Sequence, residues 1–465
     1  ARSQDHLFVV LAPNSSRAQH LADSLDFYLA GSQTPVMLFP DWETLPYDLF
    51  SPHQDIISDR IRVLHQLPTS HKGILVVPVN TLMQRLAPPL HITGNSFLLK
   101  VGDTFDMEAT RQRLVACGYR QRDNVYEHGE FAVRGAIMDI FPMGADQPFR
   151  IELFDDEIES LRLFDAESQR STGKVEEITL LPAAEYPLSA DGISRFRTAF
   201  RDTFDVDTRG VPLYQDVSDG LSAPGLEYYL PLFFEHMATL FDYLPDDVRL
   251  VEMAGSQGAV EHFWADVEQR YESRRHDIHR PILAPWKLYL RPEELGASLK
   301  QHPRARQTGS DADRKHAIQF DVAAMPALTA DVRASNPLAL LHTFADAHPD
   351  TRILLCAETA GRREALLELM QKIGIQPSLK DNWPDFIARP ERWSLTRGEL
   401  DAGFYAPEHE LLVVTENDLY GERVLQRRRR KSSSDDGAAE QAFRSLGELT
   451  EGSPVVHLEH GVGRY

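Results

Sequence analysis

The sequence predicts an α/β protein built on a parallel sheet, with a small α+β domain inserted into the chain. Three patterns support this fold class. Strand-like apolar runs alternate with helical spacing over residues 1–88, strand alternation dominates between about residues 97 and 181, and the strand–helix rhythm returns over residues 325–425. The 465 residues also suffice for about three domains of ~150 residues each.

The first 88 residues carry alternating strand and helix signals. Short runs rich in Val, Ile and Leu have the composition of buried strands: Leu7–Leu11, Val36–Phe39 and Ile74–Val77. Apolar spacing predicts three helices, one capped by Asn14 or Ser15, one with Ile57, Ile61, Leu64 and Leu67 on its face, and a short one opening at Asn80 or Thr81. This rhythm favours parallel strands joined by crossover helices.

The middle segment has the pattern of an antiparallel sheet. Asp106 is placed to cap a helix that runs to Cys117, and Asp155-Asp156 suits a tight turn. Four alternating runs are predicted as strands: Phe131–Arg134, Ile137–Phe141, Phe149–Phe154 and Ile158–Phe164.

The remainder is predicted in less detail. Residues 182–318 are interpreted as the second half of the first α/β domain. This segment is predicted to contain helices over Ile193–Phe204 and Ala259–Tyr271 and strands at Val248–Glu252 and Leu288–Leu290. The polar stretch His302–Lys315 is predicted as a linker. The third domain is predicted to contain helices Leu340–His348 and Arg362–Ile373 and strands Ile353–Ala357 and Leu411–Thr415. A solvated linker around Arg427–Lys431, a helix at Ala442–Leu449 and a strand at Val455–Leu458 follow, so the sequence is expected to continue beyond Tyr465.

Composition limits the functional classes. The formal charge is 49 − 70 = −21, which argues against nucleic-acid binding over the whole surface. No apolar run approaches ~18 residues, so no bilayer span is predicted. The two cysteines, Cys117 and Cys356, are too few for a disulfide scaffold, and together with the lack of a visible signal peptide they favour a cytoplasmic location.

A complete catalytic or metal site is not visible in the sequence. Ser171-Thr172-Gly173-Lys174 superficially resembles a phosphate loop, but Val175 stands where Ser or Thr is needed. Asp155-Asp156-Glu157 could bind Mg²⁺, although a charged hairpin turn is the favoured interpretation. His457 and His460 lack the further ligands that zinc requires. The sequence therefore predicts no catalytic residue, metal site or cofactor site.

One face of the small domain has the composition of a binding surface. Period-2 geometry places Phe149, Ile151 and Leu153 on one face, which is expected to be core. The opposite face would present Arg134, Arg150 and Phe154, and arginine and aromatic residues are enriched at binding hot spots. In the alternative, Phe154 packs under the Asp106–Cys117 helix and the arginines are ordinary surface.

Several strings, among them RGAIMDIFP (residues 134–142) and DWETLPYD (41–48), resemble bacterial transcription-repair coupling factors. In the small domain, RGAIMDIFP (residues 134–142) and FRIELFDDEIE (149–159) also resemble the second domain of excinuclease component B, a nucleotide-excision-repair protein. The remaining strings resemble the coupling factors alone: DWETLPYD (41–48), SPHQD (51–55), TE (415–416) with GERV (421–424), and VVHLEHGVGRY (455–465). The resemblance extends over essentially the whole chain.

The resemblance implies a domain order and partners. It implies a degenerate helicase-like α/β domain in two halves (1–96 and 181–318), a small domain binding excinuclease component A (97–180), a third α/β domain (325–425), a linker (426–445), and the start of a β-rich domain that binds RNA polymerase (446–465). By analogy with the family, Arg134, Arg150 and Phe154 bind excinuclease component A. ATP, Mg²⁺ and most DNA contacts would belong to a motor outside this sequence.

The resemblance also implies a division of labour. Members of the family release RNA polymerase stalled at DNA lesions and recruit nucleotide excision repair. By this resemblance, the present chain would recruit excinuclease component A and restrain the motor. The segment Asp41–Asp55 is too short for the long hairpin with which excinuclease component B probes damage. Two alternatives stay open: a free-standing ATP-dependent DNA helicase or translocase, and a protein that binds only RNA polymerase.

Overall fold

The structure is a computed structural model that describes residues 6–308, 317–318, 320, 322–331, 334, 336–421, 454–457 and 461–464. The chain forms two compact units. Of the described residues, the first contains 6–15, 37–307, 454–457 and 461–464, and the second contains 16–36 and those from 308 to 421. None of the described helices is long and apolar enough to span a membrane.

The elements are numbered in chain order. The strands are β1 (Leu7–Ala12), β2 (Val36–Leu38), β3 (Gly73–Pro78), β4 (Phe97–Lys100), β5 (Arg120–Gln121), β6 (Glu130–Arg134), β7 (Ile137–Ile140), β8 (Phe149–Phe154), β9 (Glu157–Phe164), β10 (Ser171–Val175), β11 (Glu177–Leu180), β12 (Arg249–Glu252), β13 (Arg304–Arg306), β14 (Arg352–Ala357), β15 (Ser378–Leu379), β16 (Trp393–Arg397), β17 (Phe404–Ala406), β18 (Leu411–Thr415), β19 (Pro454–His457) and β20 (Gly461–Arg464).

The α-helices are α1 (Ser15–Tyr28), α2 (Gln54–Gln66), α3 (Val79–Leu82), α4 (Pro89–Gly94), α5 (Met107–Ala116), α6 (Ala190–Thr203), α7 (Pro212–Ser218), α8 (Ser256–Arg274), α9 (Pro285–Leu288), α10 (Pro292–Leu299), α11 (Ala339–Ala347), α12 (Ala360–Lys372), α13 (Trp383–Ala388) and α14 (Glu416–Tyr420). Short 3₁₀ helices cover Leu67–Thr69, Thr208–Gly210, Leu226–Leu232, Leu240–Tyr243 and Pro407–His409.

A five-stranded sheet organises the first unit, in the order β13-β12-β1-β3-β2. Strand β1 lies between β12 and β3 and pairs parallel with both. Because Leu7, Val9 and Leu11 alternate toward a buried face, the sheet forms the wall of the main core. The sheet joins strands from before and after the small domain, which confirms the prediction of a split α/β domain with an insertion.

The small domain is built on a six-stranded sheet in the order β10-β9-β8-β7-β6-β5. Strands β6 to β10 follow one another along the chain, and each pairs antiparallel with the next. Strands β4 and β11 form a separate antiparallel pair where the chain enters and leaves the domain. Asp106 caps α5 by accepting a hydrogen bond from the Ala109 N–H at 2.9 Å. Gly135, with a φ of +62°, begins the tight turn between β6 and β7, where a side chain would be strained.

Helix α2 of the split domain contacts the small domain. The Gly144 N–H donates to the Ser58 hydroxyl at 2.7 Å. Arg60 on the same helix pairs with Glu185, which lies beyond the last strand of the small domain, with 2.6 Å between Nε and Oε1. Helix α2 therefore bonds both the small domain, through Gly144, and the segment that follows its last strand, through Glu185.

Two sequence predictions in the first unit are wrong. Leu288–Leu290 was predicted as a strand, but Pro285 at the first position starts the one-turn helix α9, and Tyr289 makes only an isolated bridge to Gln84. The predicted linker His302–Lys315 contains β13, because Arg304 and Arg306 bind Glu252 of the neighbouring β12.

The second unit contains another mostly parallel sheet, in the order β15-β16-β14-β18-β17, with β17 antiparallel. One face buries Ile353 and Leu355 against the α12 residues Leu366 and Met370. The other face is covered by α13 and by the end of α1, where the Tyr28 ring lies 5.0 Å from the Trp383 ring. From Ser16 onward, α1 thus belongs to this unit, although sequence position had placed it in the first domain.

The C-terminal predictions are only partly described. Strands β19 and β20 pair antiparallel, in agreement with the predicted strand at Val455–Leu458 for Val455–His457. The predicted linker at Arg427–Lys431, the helix at Ala442–Leu449 and Leu458 lie outside the described residues.

Candidate protein-binding face of the small domain

The register of β6, β7 and β8 brings the two predicted arginines to one face of the sheet. Asp139 pairs with Arg150, and the next row on the same face runs from Arg134 through Ile137 to Glu152. Met138 and Ile151 point to the opposite face and are buried in the core. The alternation predicted from the sequence is therefore the alternation in the structure.

Both arginines bind the same carboxylate, that of Asp139. Arg150 donates from Nε to Oδ1 at 2.7 Å and from an Nη atom to Oδ2 at 2.9 Å, and Arg134 donates to the same Oδ2. The Asp139 side chain is 1% exposed, whereas those of Arg134 and Arg150 are 48% and 18% exposed. The hydrogen bonds to Asp139 raise the pKa of Arg150 above its ordinary value.

A small apolar cluster packs against Arg150. The Arg150 guanidinium carbon lies 5.1 Å from the centre of the Phe164 ring. Phe164 is buried in a cluster with Val125, Ala132 and Phe141, separate from the main core. Arg134 has a second partner, since it donates to the Asn124 amide oxygen at 3.3 Å.

Phe154 stands outside the protein interior. It is 74% exposed and pairs with Glu157 across the tight turn at Asp155-Asp156. The alternative in which Phe154 packs under the α5 helix is therefore wrong. An aromatic ring left in water costs free energy that burial against a partner would recover.

Sequence reasoning overlooked Asp139. A signal was present, because Asp139 is the one charged residue of β7 and alternation places it on the face opposite Met138 and Ile140. Only the pairing of β7 between β6 and β8 shows that this carboxylate lies between the two arginines.

The other candidate motifs take ordinary structural positions. Ser171-Thr172-Gly173-Lys174 lies in β10, so it forms a strand and not a phosphate-binding turn. Asp155-Asp156-Glu157 forms the hairpin turn and the start of β9. Within the part of the chain that the structure describes, no three His, Cys, Asp or Glu residues converge as a metal site. His457 ends β19, and His460 lies outside the described residues.

A histidine holds the loop that carries Asn124 and Val125 against helix α2. His128 bonds Asp55 through Nδ1 and the Ala145 carbonyl through Nε2, each at 2.8 Å. Burial alone would lower the pKa of His128, but these hydrogen bonds and the charges of Asp55 and Asp59 raise it above its ordinary value.

We expect the His128→Gln variant to lose ~1–2 kcal/mol of unfolding free energy at pH 6 and less at pH 9. A raised pKa in the folded state means that protonated His128 stabilises the fold below its ordinary pKa of 6.5, and this contribution disappears as the pH rises through the folded-state value. Urea unfolding of both proteins at the two pH values measures the difference. A loss of unfolding free energy that is the same at both pH values would contradict the raised pKa of His128.

Comparison with known proteins gives consistent matches. Residues 97–186 match the family described as the UvrB interaction domain, and residues 344–419 match the family described as the MFD D3 domain. The chain is 42% identical over its whole length to a transcription-repair-coupling factor of Haemophilus influenzae, and 42% identical over 98% of the chain to that of Escherichia coli. It spans only about 40% of the length of these relatives. The resemblance indicated by the sequence motifs is confirmed.

Proposed function

We propose that this chain, similar over its whole length to a part of the transcription-repair-coupling factors, recruits nucleotide excision repair by binding excinuclease component A. The proposal is carried by the exposed ring of Phe154, which lies in the same strand as Arg150, together with the two arginines bound to one buried carboxylate. This group lies in the segment that matches the UvrB interaction domain.

The chemistry of the face suits a protein partner. Guanidinium groups form strong, charge-assisted hydrogen bonds with carboxylates, and an exposed aromatic ring gains most when it enters an apolar pocket. The complementary surface of excinuclease component A would offer acidic groups around such a pocket. A metal ion would leave the Phe154 ring in water.

The wider role extends the same proposal. In the whole protein, an ATP-driven motor outside this chain would release RNA polymerase stalled at DNA lesions, and this chain would restrain the motor at rest. Contact with polymerase would involve residues 446–465 and the sequence that follows. ATP, Mg²⁺ and DNA would be bound mainly by the motor, and the protein would act in the cytoplasm. The segment most similar to a phosphate loop, residues 171–174, forms part of strand β10, which supports the proposal that ATP is bound outside this chain.

The Phe154→Ala variant tests the proposal. We expect its affinity for purified excinuclease component A to fall about thirtyfold, equivalent to ~2 kcal/mol, because the ring is 74% exposed in the free protein and a partner would bury it. Surface plasmon resonance with the immobilised partner measures the dissociation constant.

Phe50→Ala provides the matched control. Phe50 is 69% exposed but lies between β2 and α2, outside the small domain, so its removal should leave the affinity unchanged. Equal affinities for all three proteins would show that the face is assigned wrongly. DNA-stimulated ATP hydrolysis by this chain would favour the competing helicase interpretation.

A further inference from the structure

We propose that Asp139 is a positioning residue for recognition of the partner: it fixes the two arginines of the binding face in the arrangement that the partner binds. The inference rests on the proposed function and extends it to a residue that touches no partner. It identifies the partner's surface chemistry as acidic, since two guanidinium groups are held toward it.

Burial prevents Asp139 from acting directly. Its side chain is 1% exposed, and both of its oxygens accept hydrogen bonds from arginine. A partner that docks on the sheet meets Arg134 and Arg150 and not the carboxylate beneath them. Any effect of Asp139 on binding must therefore pass through the arginines.

The hydrogen bonds fix the orientation of each guanidinium. Arg150 directs Nε and one Nη at Asp139, which leaves the other Nη as the edge available to a partner. The Phe164 ring lies against the same group and restricts it further. An arginine side chain that is already ordered loses less conformational entropy when it binds, so preorganisation strengthens the complex.

Asp139 also reduces the electrostatic repulsion between the two arginines. Two guanidinium groups at one site repel each other, and the carboxylate between them reduces the local charge from +2 to +1. Glu152, a second carboxylate on this face, accepts hydrogen bonds from Ser160 and Arg162, the latter at 3.0 Å. Asp139 is therefore the carboxylate that both arginines bind, whereas Glu152 is bound by Ser160 and Arg162 and acts on Arg150 only through its charge.

The Asp139→Asn variant is the main test. The amide keeps the shape but loses the charge and one acceptor, so we expect at least tenfold weaker binding to excinuclease component A. In the Arg134→Ala/Arg150→Ala background, the same substitution should change the affinity less than twofold, because the groups through which it acts are gone. An equal loss in both backgrounds would overturn the inference, since it would indicate general damage to the domain.

The Asp139→Glu variant covers the case in which Asp139→Asn does not fold. It keeps the charge but moves the carboxylate by one methylene, so binding should fall several-fold while circular dichroism shows that the protein remains folded. Affinity equal to that of the unchanged protein would contradict the positioning role.

The outcomes separate the inference from the proposed function. If the unchanged protein does not bind excinuclease component A, the proposed function fails. If Phe154→Ala binds as tightly as the unchanged protein, the binding face is assigned wrongly. If Phe154→Ala weakens binding while Asp139→Asn does not, the face is correct and only the positioning role is wrong.

Discussion

Replacement of Arg60 by Met is expected to lower the free energy of unfolding by about 3–5 kcal/mol, because it leaves the Glu185 carboxylate charged and unpaired in the interior. The Arg60 and Glu185 side chains are 0% and 1% exposed. Arg60 also donates to the Pro40 carbonyl at 2.8 Å and lies 4.5 Å from the Phe39 ring, so the substitution removes these contacts as well. Urea unfolding followed by circular dichroism measures the loss.

The Arg60→Met/Glu185→Leu double variant is the control. Replacing both members of a buried ion pair by apolar residues of similar volume is often nearly neutral, whereas removing one member is costly. The double variant should therefore recover most of the stability lost by Arg60→Met. A double variant as unstable as the single one would show that packing, and not the unpaired charge, accounts for the loss.

This ion pair bears on function because of its position. Arg60 lies on α2 of the split domain, and Glu185 follows the last strand of the small domain. The pair therefore anchors the point where the small domain, with its proposed binding face, returns to the parallel sheet. A small domain with this anchor should unfold together with the split domain in one transition.

Local pattern predicted the four central strands of the small domain, β6 to β9, but not β4, β5, β10 and β11. The strands that carry Arg134, Arg150 and Phe154 were placed within one residue at each end, because period-2 alternation of large apolar residues depends only on neighbours in the chain. Alternation predicted that Phe154 shares a face with the two arginines but left open whether its ring is exposed or packs under α5, and the structure shows it exposed.

Interactions between distant residues could not be predicted in this way. Asp139 acquires its role only when β7 pairs on both sides, and Arg60 meets Glu185 across 125 positions of sequence. Likewise, α1 has a readable apolar pattern, but no local signal shows that its end packs on Trp383 in the second unit. Periodicity identifies the buried face of an element but not its partner.

A second buried carboxylate, that of Glu227, leads to the opposite prediction for stability. Glu227 is 5% exposed, and burial raises its pKa from the ordinary 4.5 to about 7, with the nearby charge of Glu185 acting in the same direction. Its closest partner is the Ser51 hydroxyl, which donates to Oε2 at 2.8 Å. Unlike Glu185, it forms no ion pair within hydrogen-bond distance among the described residues.

The Glu227→Gln variant is therefore expected to be more stable than the unchanged protein by about 3 kcal/mol at pH 8 and equally stable at pH 4.5. As the pH rises from 4.5 to 7, the unfolded chain loses the Glu227 proton while the folded protein keeps it, so the free energy of unfolding of the unchanged protein falls over this range. Above pH 7 both states are ionised, and the lost stability is not regained. The Gln side chain is neutral throughout and can still accept the Ser51 hydrogen bond. Glu235→Gln, whose side chain is 77% exposed before replacement, should show no such pH-dependent gain, and a gain of similar size there would refute the argument from burial.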